Sequence, residues 1–167
     1  MKKYLFALIA FSFMAGTSCQ QKIDVAQEEE AIKNVIQEEI ALFVAQDIQE
    51  SQFYKNVDYL RVISNFGNDH HVAVGWDSVH AVVKRNSEAD RSGAANVKFE
   101  CRDFHIKVYD DIAWAVYYVN GSGEWKGEPW EGAETKVTIL EKVDDDWKIV
   151  LVSQTSMNPC QEDEDEE

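Results

Sequence analysis

Residues 135–156, Thr-Lys-Val-Thr-Ile-Leu-Glu-Lys-Val-Asp-Asp-Asp-Trp-Lys-Ile-Val-Leu-Val-Ser-Gln-Thr-Ser, hold two apolar runs parted by three consecutive aspartates. Runs rich in Val, Ile and Thr, broken by a cluster of turn-forming Asp, read as two strands of a hairpin. The strands cover residues 135–142 and 147–156, joined across 143–146. In the second, Ile149 and Leu151 alternate with Val150 and Val152, so both faces are apolar. The stretch 112–120 has the same character: Trp114, Val116 and Tyr118 on one face, Ala113, Ala115, Tyr117 and Val119 on the other. Strands that read this way are covered on both faces, whereas a sheet with one wet face alternates cleanly.

Upstream, Val97, Phe99 and Cys101 alternate in one phase and Phe104, Ile106 and Val108 in the other. A phase change inside one run requires an extra residue, which predicts a β-bulge near Arg102-Asp103. Asp110-Asp111 is a turn, and residues 121–133, rich in Gly and Trp, read as a long connection. Nearer the N-terminus, Glu28-Glu29-Glu30 opens a helix to about Asp47, with Ile32, Val35, Ile36, Ile40, Phe43 and Val44 as its apolar stripe. The acidic start suits the positive end of the helix dipole. A short second helix covers 48–54, a strand 59–64, a turn 65–69 and a return strand 70–74. Gly75-Trp76-Asp77 starts a third helix that buries Trp76, Val79, Val82 and Val83, and residues 90–96 form a polar loop. Helix, helix, hairpin, helix and four antiparallel strands make an α+β domain over residues 28–158.

Both termini lie outside that domain. Met1-Lys2-Lys3, an apolar run over residues 4–15 and the small residues Gly16-Thr17-Ser18 before Cys19 have the form of a secretory signal over 1–18. The apolar run falls short of the roughly 20 residues a membrane-spanning helix needs. The junction resembles the bacterial lipobox, in which the Cys becomes the lipidated N-terminus, although Gly16 stands where that pattern prefers Leu. This resemblance implies lipid on Cys19, a tether over 19–27 and a lipid-anchored, exported protein of the bacterial cell envelope, periplasmic or surface-facing. Ordinary cleavage after Ser18 is the alternative. Glu162-Asp163-Glu164-Asp165-Glu166-Glu167 places six carboxylates in a row. They repel one another and cannot join a core, so residues 159–167 read as a disordered acidic tail.

The net charge is -15, and loss of Lys2 and Lys3 would take it to -17. Such a balance disfavours nucleic acid and any electrostatic hold on an anionic membrane. With Cys19 lipidated, Cys101 and Cys160 remain, and whether they pair is open.

Gly75-Trp76-Asp77, Ile112-Ala113-Trp114 and Leu140-Glu141-Lys142 with Trp147-Lys148-Ile149, in this element order, resemble the NTF2-like superfamily and its SnoaL-like members. The resemblance implies a cystatin-like cone, a strongly curved, mostly antiparallel sheet packed on about three N-terminal helices, with a pocket inside. It also implies dimers. Two-sided apolar strands point independently to a homodimer through the sheet face, because large exposed apolar patches are uncommon on monomers.

The chemistry is sparse. His70 and His71 are neighbours on a strand and face opposite ways, and no zinc-type spacing follows them, so no metal or other cofactor is expected. His80 and His105 are the alternates for acid–base work, both able to titrate near neutrality. Ketosteroid isomerase relatives carry a carboxylate near the end of the first strand, where this chain has Val62-Ile63-Ser64-Asn65. Many SnoaL-like members carry histidines on the last strand where this chain has Leu151 and Ser153. No catalytic set can be assembled on that pattern. Binding of a small apolar or aromatic ligand is the preferred expectation, with Trp76, His80, Tyr118 and Trp130 as the pocket lining. Trp125 and Trp130, placed on the long connection, could instead belong to a recognition surface. An isomerase- or cyclase-like enzyme and a dimeric interaction or assembly subunit are the alternatives.

Overall fold

The computed structural model describes residues 24–66 and 69–156. The expectations for residues 1–18, Cys19, Cys160 and the acidic tail lie outside that range.

Helix α1, Val25–Ala45, starts on Asp24, whose carboxylate accepts from the Gln27 amide at 3.3 Å. Residues 25–27, expected in the tether, are thus its first turn. The stripe buries Ile32, Ile36 and Ile40. At the other end Gln46 adopts a left-handed conformation (φ 60°), and its side-chain amide donates to the Asn86 and Ala89 carbonyls at 2.6 and 2.9 Å. Asn86 and Arg91 donate in return to the carbonyls of Phe43 and Val44, at 3.0 and 2.7 Å. Acceptors that the helix end leaves orphaned are satisfied this way.

Helix α3, Gly75–Ser87, buries Val79 and Val83. Gly75 has φ +75°, donates to the Leu60 carbonyl at 2.8 Å and lets the chain pass from strand to helix. Between these helices, α2 is only Glu50–Phe53. The count of about three helices is corrected to two full helices and a single turn. Four residues cannot repay helix nucleation, and Tyr54 already bridges to Ile149 of the sheet.

Six strands follow: β1 Arg61–Phe66, β2 Asp69–Val74, β3 Ala94–Tyr109, β4 Ile112–Trp125, β5 Glu128–Val143 and β6 Asp146–Ser156. They form one curved mixed sheet in the order β2-β1-β6-β5-β4-β3. Neighbours are antiparallel except β1 and β6, which run parallel with Ser64 opposite Gln154.

The stretch 121–133 is not a connection. β4 and β5 stay paired as far as Trp125 and Glu128, leaving Lys126-Gly127 as a two-residue turn with φ +53° and +87°. Left-handed residues at both turn positions match the twist of the flanking strands. Gly121 and Gly123 admit rings: a Cβ on Gly121 would lie 2.8 Å from Phe99 and 3.1 Å from Trp130.

The bulge expected at Arg102-Asp103 is present, with a register shift before His105 and Asp103 at φ 55°. β3 has a further register shift between Ala95 and Lys98, and another unexpected bulge lies in β6. Ile149 pairs with Leu140 and Leu151 with Ile139, so Val150 is the extra residue. Ile149, Val150 and Val152 are all buried. Part of the two-sided apolarity of this strand is therefore a phase switch, not an outer cover. β4 has no such switch against β5. Its Ala113, Ala115, Tyr117 and Val119 are buried inward, while outward Ile112 and Trp114 remain 51% and 36% exposed.

Candidate functional site

The pleat sets which residues look inward from each strand. Tyr117 on β4 pairs with Lys136 on β5, Lys136 with Gln154 on β6, and Gln154 with Ser64 on β1. At the end of the sheet near Val143, this face packs solidly. Leu140, Ala113 and Ile149 are buried, and Trp147 is capped by Glu28 of α1. Glu28 accepts from Lys142 Nζ at 2.6 Å and from Trp147 Nε1 at 2.7 Å. The hydrogen bond from Lys142 holds its carboxyl below the usual range.

At the other end the helices stand off the sheet and leave a cavity of about 480 Å³. Ile40, Phe43 and Val44 of α1 and Val79, Val82 and Val83 of α3 supply much of its apolar wall. Glu39, Tyr54, Ser64, Glu134, Lys136 and Gln154 supply polar groups, with Arg85 and Asn86 on α3. A mainly apolar hollow with a few convergent polar groups is the usual form of a small-molecule site.

Glu39 is the group that sets the site's electrostatics. It is buried among the apolar residues of α1 and accepts from the Tyr54 hydroxyl at 2.6 Å. Burial raises its pKa; the Lys136 charge and the Tyr54 hydrogen bond oppose that rise. Lys136 is itself largely covered and pairs with Glu134 at 3.5 Å. Gln154 Nε2 donates to Ser64 Oγ at 2.9 Å, leaving the serine proton for another acceptor. Cys101 is half-buried, and burial pushes its thiol up. Tyr117 is raised by burial too, its hydroxyl sharing a hydrogen bond with Thr138 Oγ1 at 3.1 Å.

None of the four residues expected to line a pocket, Trp76, His80, Tyr118 and Trp130, lines this cavity. Trp76 packs half-buried against the core. His80 is exposed on α3. Tyr118 faces outward from β4, with the Arg102 guanidinium 5.5 Å from its ring. Trp130 comes nearest: its ring centroid lies 6.0 Å from that of Phe99, which does line the cavity. His105 is exposed on the outer face opposite Val116, so the two candidate histidines do not meet. His70 and His71 are exposed on β2. Among the described residues no three His, Cys, Asp or Glu gather as a metal site.

The missed residues are Glu39 and Lys136. Glu39 lies seven residues after Ile32 and three after Ile36, so its place on the buried stripe was readable. Lys136 gave no such signal, because its neighbours Val137 and Ile139 are the apolar members of the alternation.

A model of the SnoaL-like domain matches residues 32–157. Among curated proteins none matches. Solved structures similar to the chain include an NTF2-like protein with a cystatin-like fold from Novosphingobium aromaticivorans. It is 13% identical, with a TM-score of 0.63, over 82% of this chain and 86% of that one. A provisionally assigned dehydratase of the NTF2-like family from Streptomyces avermitilis is 13% identical, with a TM-score of 0.64, over 80% and 99%. The CaMKII hub of S. rosetta is 14% identical, with a TM-score of 0.59, over 77% and 95%. At these identities the likeness is one of fold.

Proposed function

The chain belongs to the SnoaL-like domain family, and we propose that it binds a small, mainly apolar molecule in the cavity between α1, α3 and the sheet. The supporting observation is the cavity itself, whose volume falls in the ordinary range for ligand sites, about 300–1,000 Å³. Fluorescence titration with an apolar naphthalene probe tests it. Val83→Phe, which fills the hollow from α3, should weaken binding about ten-fold or more, since displaced apolar contact of this size is worth about 1.5 kcal/mol. Equal binding by that variant would move the ligand elsewhere.

Glu39 favours acid–base catalysis as a second reading, because a carboxyl shifted by burial inside a cleft is a usual proton-transfer group. It would replace His80 and His105 in that role. Turnover that survives Glu39→Gln would rule it out.

The exposed Ile112 and Trp114 on the outer face support a homodimer through the sheet. The hub domain among the structural relatives has its own assembly name, which fits the same use of the fold. Trp114→Glu should halve the mass seen by light scattering; an unchanged mass removes the sheet face as the contact. Export and lipid on Cys19 complete the proposal, placing the domain at the bacterial cell envelope. Mass spectrometry of the mature N-terminus reads this directly, and an unmodified cysteine would remove the anchor.

A further inference from the structure

We infer that the ligand is an apolar carboxylic acid, its carboxylate held at Lys136 and its apolar body laid against α1 and α3. This rests on the cavity being the binding site. Two cations line that cavity, Lys136 and Arg85. Arg85 is exposed at the rim, and Lys136, partly covered, has an ion pair only with Glu134 among the described residues, at 3.5 Å. The pair is looser than the 2.6 Å contact between Lys142 and Glu28 at the closed end. Lys136 thus keeps donors for a second acceptor, and an ammonium carries three.

Ser64 accepts from Gln154 and has its own proton to give. Glu39, whose pKa burial raises, accepts from the Tyr54 hydroxyl, and Glu134 is paired with Lys136. The Lys136 ammonium, the Arg85 guanidinium and the Ser64 hydroxyl are the donors that complement a carboxylate. An alkylamine head would meet Lys136 and Arg85 as like charges, while Glu134 is already paired with Lys136. The rest of the hollow, Phe43, Val79, Val82 and Val83 among it, has no polar demand and fits a hydrocarbon or aromatic body.

Glu39 adds a pH signature. The groups set around it are Tyr54, Lys136 and Glu134 of β5, Cys101 of β3, Tyr117 of β4 and Arg85 of α3. A carboxylate placed beside it favours the neutral form, so binding takes up a proton. Affinity then weakens as pH rises through the pKa of Glu39, and Glu39→Gln, which is permanently neutral, removes that dependence.

Calorimetric titration of the full mature chain with dodecanoate, dodecanol and dodecylamine, all below micelle formation, separates the head groups. Dodecanoate should bind about ten-fold or more tighter than the amine. Lys136→Met should weaken dodecanoate about ten-fold, the order expected for a lost charged hydrogen bond, and leave dodecanol nearly unchanged. Lys136→Arg, which keeps the charge, should keep dodecanoate. Dodecanol binding that Val83→Phe abolishes, with no preference for dodecanoate, overturns the acid and leaves the cavity reading standing. Absence of binding by all three overturns both.

Discussion

Along β5 the inward positions run Leu140, Thr138, Lys136 and Glu134, and the two ends of that row behave as different materials. Leu140 and Thr138 are fully buried, packed with Ala113, Ala115 and Tyr117 of β4. Two residues further on, Lys136 and Glu134 face a hollow of about 480 Å³. The strand is continuous and its pleat unchanged. What differs is the helix above it: α1 enters clamped to Lys142 and Trp147 through Glu28 and reaches the cavity at Glu39. A close-packed end fixes the helix, and the fixed helix holds the other end open. Close packing and the open cavity are thus divided along one strand.

The largest effect expected is at the closed end. Leu140→Ala should lower unfolding free energy by about 2–5 kcal/mol in urea titration, the range for a fully buried leucine. A loss under about 1 kcal/mol would mean this end is not the packed one. Next, Glu28→Gln should cost about 1 kcal/mol through weaker hydrogen bonds to Lys142 and Trp147. Because Glu28 has its pKa lowered, its contribution is present above the ordinary carboxylate pKa and is lost as pH falls through the lowered value. The variant should show a flatter acid limb in thermal melts, and an identical limb would remove Glu28 as the clamp.

The smallest effect, with the opposite sign in pH, belongs to the open end. Glu39 has its pKa raised, so its contribution is fully present below the ordinary carboxylate pKa and is lost as pH rises through the raised value. Glu39→Gln should match the parent within about 1 kcal/mol in acid and gain on it as pH rises. Equal melting curves from acid to neutral would place Glu39 in water, and the contrast between the two ends would lose its electrostatic half.

Much of this fold was legible locally. The stripe of α1, the bulge at Asp103 and the hairpin through Asp144-Asp145 all follow from period, phase and turn chemistry within a few residues. Residues 121–133 misled because repeated glycines and a proline usually signal a loop. Here the glycines make room for Phe99 and Trp130, which is visible only once β3 and β5 lie beside β4. The pocket expectation failed for a related reason. It selected conspicuous tryptophan, tyrosine and histidine residues, while the cavity is lined by plain valines, three phenylalanines and charges set among apolar neighbours.

The amino-acid sequence by itself determined the order of elements and the α+β class, since periodicity and turn residues act over short range, and its motifs carried the resemblance to the SnoaL-like family. The place of Glu39 on the buried side of α1 was also readable from the arithmetic of the stripe, although it was not singled out from the sequence. The tertiary structure alone decided that Lys136 points inward while Val137 and Ile139 point outward. An alternating strand has two faces, and its own residues do not say which the helices will cover. Here the helices cover the more polar face at its open end, and that choice of face makes the cavity and leaves the outer apolar stripe behind.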